Sequence, residues 1–185
     1  MDIKDLRFTD STYDKFGDMK IGHSYAKYTF SGVTPAIGVD PGRNWGIAFV
    51  VPNNLDPSMD AGYRLSCYWG KMPKEDNTQD YFHKIRDFVI AWMPKNCPAK
   101  IVMIEGASYG DKFGQAMLEQ CRLGFYEAFR EMGCDVEYVS PLTPRKNVFG
   151  NGRVSAKTTW LDLNHNAADA ACIALYASGY RYEEE

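Results

Sequence analysis

Three acidic residues in this chain occupy positions where carboxylates can bind a divalent cation. Asp40 ends the apolar segment AIGVD, Glu105 ends the apolar segment KIVMIE, and Asp169 lies in the alanine-rich segment HNAADA. A carboxylate beside such apolar residues needs a counter-charge, because burying it unpaired is costly. Mg²⁺ supplies that charge, since it binds a few carboxylates and keeps several of its waters. The three acids are therefore candidate metal ligands.

Taken alone, none of the three acids is a convincing metal ligand. Asp40 precedes Pro41-Gly42 and would also suit a turn. Asp169, in the expected first turn of a helix, would complement the helix dipole. His165 and Asn166 precede Asp169 by four and three residues, so either can share its helix face. Asn166 would equally make a good N-cap.

Composition indicates a folded protein and leaves its partner undecided. The chain has 185 residues, 45% of them apolar and 14% aromatic, which excludes disorder and supports a hydrophobic core. The longest apolar runs, such as Ile47–Val51 and Ile101–Ile104, are far shorter than the roughly 20 residues that span a bilayer. The N-terminal MDIKDLRFTD carries charges where a signal peptide needs apolar residues. We therefore expect an intracellular protein with no membrane partner.

The cysteines and the net charge give weaker indications of the compartment and of the partner. Five scattered cysteines without a CxxC pair favour buried thiols in a reducing compartment over disulfides or structural zinc. A formal net charge of −3 argues mildly against a nucleic-acid partner, but a local basic patch would suffice. Residues 145–157 offer such a patch, with four cations and no acid, although solvated surface charge is the alternative.

The pattern of apolar residues predicts the order β-β-β-α-β-α-β-α. A Pro-Gly-Arg-Asn turn predicts a hairpin of the first two strands, and the order favours a mixed sheet with helices on its faces. The predicted strands and helices are Ala36–Asp40, Trp45–Val51, Arg64–Trp69, a helix over 79–92 with Thr78 as N-cap, Lys100–Glu105, a helix over Gln115–Met132 closed by Gly133, Val136–Val139, and a helix over Asn166–Ala177.

The remaining segments are expected to be irregular. Residues 1–35 show no sustained period and have only weak strand or arm character, so we treat them as an N-terminal extension of unknown role. Residues 36–180 form the predicted domain, and 181–185 an acidic tail. Between the fifth strand and the last helix we expect a loop, because it contains Pro141, Pro144, Gly150 and Gly152.

Four segments, taken together, resemble the RuvC family of Holliday-junction resolvases in the ribonuclease H-like superfamily. The match covers about residues 36–178 in the family's order. IGVDPGRNWGIA resembles the first motif, IVMIEGASYGDKFGQAMLEQCRLGF the second, VSPLTPRKNVFGNGRVSAK the basic segment, and HNAADAACIALYA the final Ala-Asp-Ala helix.

The resemblance implies an α/β, ribonuclease H-like fold with a mixed five-stranded sheet, made of a three-strand antiparallel meander plus parallel strands, and helices on both faces. It implies two Mg²⁺ or Mn²⁺ ions per active site, one activating water and the other stabilising the leaving 3′ oxygen. The implied catalytic residues are Asp40, Glu105, Asp169, Asn166 and Lys157, and the implied metal ligands are Asp40, Glu105, Asp169, Asn166 and His165.

The resemblance also implies contacts to DNA. An aromatic residue after the second strand-end acid stacks on bases in the family, which suggests Tyr109 and Phe113, although either could instead pack in the core. The implied phosphate contacts are Arg145, Lys146, Arg153 and Lys157, with Lys112 as a further DNA-binding residue.

Three features depart from the family pattern. Asn166 stands where the family has Asp or His, so His165 or Asp162 would have to compensate, or the second metal binds loosely; an engineered Asp-to-Asn change is also possible. Only the seven residues Thr158–Asn164 separate Lys157 from His165, so a helix is expected to be reduced or missing there. The first 35 residues have no counterpart. Such changes resemble phage-borne or organellar members.

The leading hypothesis is a homodimeric, metal-dependent crossover-junction endodeoxyribonuclease that nicks four-way DNA symmetrically, as its two-fold substrate suggests. It would act in the cytoplasm or nucleoid, in a phage-infected host, or in an organelle. One alternative is a broader nuclease for flaps and other branched DNA. Another is a non-catalytic junction-binding module whose metal site was disabled at Asn166.

Overall fold

A computed structural model describes residues 2–28, 32–52, 62–107 and 114–182 of the chain. Over these residues the protein forms one mixed sheet with helices on both faces. Its elements are a 3₁₀ turn Ile3–Asp5, β1 Thr12–Phe16, β2 Met19–Tyr28, β3 Ala36–Asp40, β4 Asn44–Pro52, β5 Tyr63–Lys71, α1 Thr78–Trp92, β6 Ile101–Glu105, α2 Gln115–Glu131, β7 Asp135–Val139, α3 Leu142–Phe149, α4 Ala156–Thr159 and α5 His165–Ala177.

The described strands lie in the order β1-β2-β5-β4-β3-β6-β7. The predicted meander of β3, β4 and β5 is antiparallel, and β6 and β7 continue from β3 in parallel. The mixed α/β architecture is therefore confirmed. The sheet differs from the expected five strands, because β1 and β2 extend it to seven at the β5 edge.

The alternation of side chains along the strands separates two apolar layers. On one face, Ile37, Val39 and Phe49 belong to a buried cluster with residues of α1 and α2. On the other face, Ala48 and Val50 belong to a second cluster with residues of α3, α4 and α5. The central strands are almost continuous apolar runs, so they need a helix layer on each face to keep their side chains from water.

Helix α5 lies unusually close to β3 and β4. A methyl group added at Gly38 would collide with backbone atoms of Ala170 and Ala174, and one added at Gly46 would collide with the backbone of Asn166. Because glycine has no Cβ and the facing helix residues are mostly alanine, the two backbones approach without an intervening side-chain layer. This approach fixes the height of α5 above the strand ends.

Residues before the predicted domain start share its core. Strand β2 pairs antiparallel with β5 along eight residue pairs. Ile3 is fully buried, and its carbonyl accepts a hydrogen bond of 3.1 Å from the Trp160 indole. In this structure, residues 2–28 therefore pack into the same core as the segment that follows.

The segment after β7 is partly helical, whereas we predicted a loop. Pro141 is the N-cap of α3 and Pro144 lies in its first turn. Proline is tolerated there because the first N–H groups of a helix have no intrahelical partner. Helix α3 then ends at Gly150, whose φ of 74° suits glycine. The expected reduction of helix before α5 is seen as the four residues of α4.

Two predicted N-caps are displaced by one or two residues. The side chain of Asn77, rather than that of Thr78, accepts the capping hydrogen bond of α1. Asn164, rather than Asn166, caps α5 by accepting from the Asn166 and Ala167 amides. Asp169 is consequently the fifth residue of α5 and not in its first turn.

Each of the five cysteines is free, with Cys67, Cys121 and Cys172 buried. Within the described ranges, no helix is both long and apolar enough to cross a membrane.

We expect Gly38→Ala to lower the free energy of unfolding by roughly 3 kcal/mol, because its methyl group meets backbone atoms of α5 that cannot move aside. Urea unfolding followed by circular dichroism measures this change. Gly152→Ala is the control, since its methyl group would make only ordinary contacts. Equal stability of the two variants would show that α5 is not held at this distance.

A candidate metal centre of three carboxylates

Two of the predicted acids end neighbouring parallel strands. Val39 of β3 lies opposite Ile104 of β6, so Asp40 and Glu105, the next residue of each strand, end side by side. Side chains alternate between the faces of a strand, and Gly38 faces α5. Asp40 and Glu105 therefore lie on the face that α5 covers.

The third acid comes from α5 itself. The contact of Gly38 with Ala170 places the second turn of this helix above the strand ends, and Asp169 precedes Ala170. An oxygen of Asp169 accepts a hydrogen bond of 3.2 Å from Arg145 of α3, and the two side chains are 19% and 27% exposed. The pair is partly buried, so it is screened less than a surface ion pair.

The proton affinity of Asp40 and of Glu105 is raised at this site. Burial, followed by the charges of Glu105 and Asp169, raises the pKa of Asp40 well above its usual range. Burial and the Asp169 charge likewise raise the pKa of Glu105. Arg145 and Arg122 oppose both shifts and do not cancel them. The site thus holds an excess of negative charge in a poorly solvated place, which favours a bound cation.

The donor chemistry of this site fits a divalent cation such as Mg²⁺, because carboxylate oxygens are the ligands that it prefers. As the side chains stand, however, no three His, Cys, Asp or Glu residues among those described lie close enough together to hold a metal ion. Asp169 is directed to Arg145 instead. To complete the ligand set, the Asp169 carboxylate would therefore have to leave Arg145 and bind the ion.

The other predicted ligands surround the N-terminus of α5. Asn166 is half-buried, one turn before Asp169, and its backbone lies against Gly46. His165 is exposed, and Asp162 is exposed in the turn that precedes the helix. Asn166 is thus the less solvated of the predicted alternatives.

The predicted DNA contacts fall into two groups. Arg145 reaches the carboxylates, whereas Lys146 on α3, Arg153 after it and Lys157 on α4 are exposed. Tyr109, Lys112 and Phe113 lie outside the described residues, on the segment between β6 and α2.

Comparison with solved structures finds proteins of similar fold. The structure of RuvC from Thermus thermophilus superimposes with a TM-score of 0.60 and 18% sequence identity, covering 80% of this chain and 98% of that one. T. thermophilus RuvC in complex with Holliday junction substrate gives a TM-score of 0.56 and 17% identity, covering 76% and 90%. No protein-family model and no curated protein matches the sequence.

The chain has a RuvC-like fold. The predicted ribonuclease H-like architecture is therefore confirmed by the topology and by these neighbours. At 17% and 18% identity the likeness concerns the fold. The roles of individual residues must be judged from the site itself.

Sequence reasoning missed one residue of the site in this RuvC-like fold. Arg122 of α2 is only 6% exposed, donates a hydrogen bond of 3.1 Å to the backbone carbonyl of Glu105, and pairs with Glu119 at 2.7 Å. It thereby positions the end of β6. Its position in the sequence gave a usable signal, since Arg122 lies on the apolar stripe of α2 between Cys121 and Phe125, where a charge needs a partner.

We expect the free energy of unfolding in EDTA to fall as pH rises above about 4, the ordinary pKa of a carboxyl group. The raised pKa values of Asp40 and Glu105 mean that the folded protein binds more protons than the unfolded chain between that pH and the raised values. Thermal unfolding between pH 5 and 8 would measure the slope. A divalent cation should make the slope shallower. At 100 times its Kd it should raise the free energy of unfolding by about 2.7 kcal/mol.

Asp40→Asn should flatten the same slope and remove most of the stabilisation by the cation. Asp14→Asn, at an exposed position of β1, is the matched control and should change neither. If Asp40→Asn left the slope unchanged, the pKa of Asp40 would not be raised by its surroundings in solution.

Proposed function

We propose that this chain is a metal-dependent endonuclease that resolves four-way DNA junctions. The observation that carries the proposal is the convergence of Asp40, Glu105 and Asp169 at the carboxyl edge of a RuvC-like sheet. A structural neighbour, T. thermophilus RuvC, was solved in complex with Holliday junction substrate. That neighbour supports a branched-DNA substrate for this chain.

Asp40, Glu105 and Asp169 would hold the cations, with Asn166 or His165 as a further ligand at the start of α5. Two bound divalent cations would supply the charge that activates water and stabilises the leaving 3′ oxygen. The burial of Asp40 fixes its carboxylate and limits access of bulk water. Arg122 holds the Glu105 end of β6 through the backbone, so that the two strand ends keep their relative position.

Arg145 links the carboxylates to the basic segment. In the structure it neutralises Asp169 at 3.2 Å. With a cation bound at Asp169, the Arg145 guanidinium would be free to bind a phosphate of the substrate, which suits the planar fork of arginine. Lys146, Arg153 and Lys157, which are exposed on the same segment, would extend this contact along the DNA backbone. Cation binding and phosphate binding would therefore favour each other.

A homodimer is part of the proposal. A four-way junction has two-fold symmetry, and two active sites related by a two-fold axis would place one nick on each of two opposite strands. Paired nicks at symmetric positions are the signature of such an arrangement.

The deciding experiment is cleavage of an end-labelled four-way junction, beside a flap and a linear duplex, with Mg²⁺, Mn²⁺ or EDTA. We expect symmetric nicks in the junction with either metal and none in EDTA. Asp40→Asn should slow cleavage about a thousandfold or more, because the cations supply several kcal/mol of transition-state stabilisation. Asp14→Asn is the control for a lost carboxylate elsewhere. Equal cutting of the flap would favour a broader branched-DNA nuclease.

A second candidate function, junction binding without cleavage, is favoured by two residues of α5. Neutral Asn166 is a weaker cation ligand than a carboxylate, and Asp169 is occupied by Arg145. Tight binding of the junction by the unchanged chain, with no nicks at any metal concentration, would identify this function.

Asn166→Asp tests this point directly. The new carboxylate lies one turn before Asp169, on the same face of α5. We expect cleavage to reach half its maximal rate at a roughly tenfold lower Mg²⁺ concentration, measured by titration of the metal. Asp162→Asn is the companion variant; if it lowers activity as much as Asp40→Asn, Asp162 and not residue 166 supplies the further ligand.

A further inference from the structure

A cavity of about 500 Å³ opens on the sheet face opposite to the carboxylates. It is lined by β4, β5 and the segment that follows α1, including Phe49, Ser66, Tyr68 and Trp92. Because β4 runs antiparallel to β3, with Gly46 opposite Asp40 and Val50 opposite Ala36, the β4 part of the cavity lies toward the other end of the sheet. The cavity and the candidate metal centre are therefore separate sites.

Three aromatic rings lie in the wall, beside Val51 and several prolines. The rings of Tyr68 and Trp92 have centroids 5.0 Å apart at 77°, and those of Phe49 and Tyr68 lie 5.6 Å apart at 86°. One more ring supports Tyr68 from the side of β2, since His23 stacks on it at 4.4 Å. Such a cluster offers rigid surfaces to a flat, unsaturated ligand.

Polar groups also line the cavity, among them Ser66, Arg64 and Asn96. Ser66 is only 3% exposed, and its Oγ has no hydrogen-bond partner among the described residues. Buried hydroxyl groups usually have a partner, so this atom is free to bond a ligand. Arg64, two residues earlier on the same face of β5, lines the cavity and is exposed, which puts a cation at its edge.

We propose that this cavity binds a nucleotide unit, with the base against the aromatic rings, an edge of the base hydrogen-bonded to Ser66, and the phosphate at Arg64. An apolar ligand would leave the Ser66 hydroxyl without a partner. It would also make no use of the Arg64 guanidinium, which lies 5.9 Å from the centroid of the Tyr25 ring. An aliphatic acid would not use the rings. The volume lies in the range of small-molecule pockets, 300–1,000 Å³. The unit is either a free nucleotide or an unpaired base of a DNA strand.

The test is a titration of the full chain in EDTA, so that it does not depend on the metal centre or on nuclease activity. The probes are dTMP, dAMP, a ten-residue oligothymidylate and ribose 5-phosphate, and binding is followed by calorimetry and tryptophan fluorescence. We expect saturable binding of a nucleotide or of the oligonucleotide and much weaker binding of ribose 5-phosphate. Mononucleotide binding identifies a free nucleotide as the source; binding of the oligonucleotide alone identifies an unpaired base.

Variants separate the site from general attraction to anions. Ser66→Ala removes one oxygen atom and should weaken binding about fivefold, whereas Arg64→Gln should weaken it about tenfold. Lys71→Gln, which removes an exposed cation at the other end of β5, is the matched control and should leave the Kd unchanged.

Three outcomes would overturn the proposal. The first is the absence of binding by any nucleotide probe at millimolar concentration. The second is equal binding of ribose 5-phosphate and the nucleotides, or equal effects of Lys71→Gln and Arg64→Gln, which would indicate a nonspecific anion contact. The third is that the unchanged chain binds no nucleotide while Ser66→Ala alters the oligomeric mass. The cavity would then be a contact surface for a second copy of the chain.

Discussion

Helix α5 lies on β3 and β4 with no side-chain layer between the backbones at Gly38 and Gly46. The strand ends fix Asp40 and Glu105, but the third carboxylate has to arrive from another element at the right height. A larger residue at either glycine would lift the helix and move Asp169 away from the strand ends. The geometry of the candidate metal centre is thus decided by residues that carry no functional group, two glycines of the sheet and the alanines that face them.

The same arrangement creates an electrostatic conflict within the site. Three carboxylates share a poorly solvated place, and the pKa values of Asp40 and Glu105 rise in consequence. Arg145 and Arg122 reduce the conflict from two different helices. Arg145 pairs with Asp169, and the charge of Arg122 lies close to the carboxylates because its side chain donates to the backbone carbonyl of Glu105. Buried charges are normally paired. Exceptions concentrate at functional sites, where a ligand supplies the missing charge.

Elements with a strong periodic signal were predictable from the sequence. Strands β3 and β6 are apolar runs that end in an acid, so both the strands and the two acids could be located from the residues alone. Helix α3 was missed because Pro141 and Pro144 resemble loop residues, although both stand where a helix accepts proline. Strand β1 was missed because it is an edge strand whose first four residues are exposed, without a buried face to impose alternation. Arg122 could have been noticed as a charge on the apolar stripe of α2, but the sequence does not identify its partner, because that partner is a backbone carbonyl.

The two faces of the sheet differ in residue size for a physical reason, and this difference separates the two candidate sites. Side chains of β4 alternate between the faces, so Gly46 and Ala48 meet α5 while Phe49 lies on the α1 face. Small residues let α5 approach the sheet closely. On the α1 side the facing residues are larger, and a cavity lies among Phe49, Tyr68 and Trp92 at the end of α1. Close backbone packing favours precise placement of charged groups, whereas the aromatic side offers ring surfaces to a flat ligand. One strand can contribute to both candidate sites because its successive side chains point to opposite faces of the sheet.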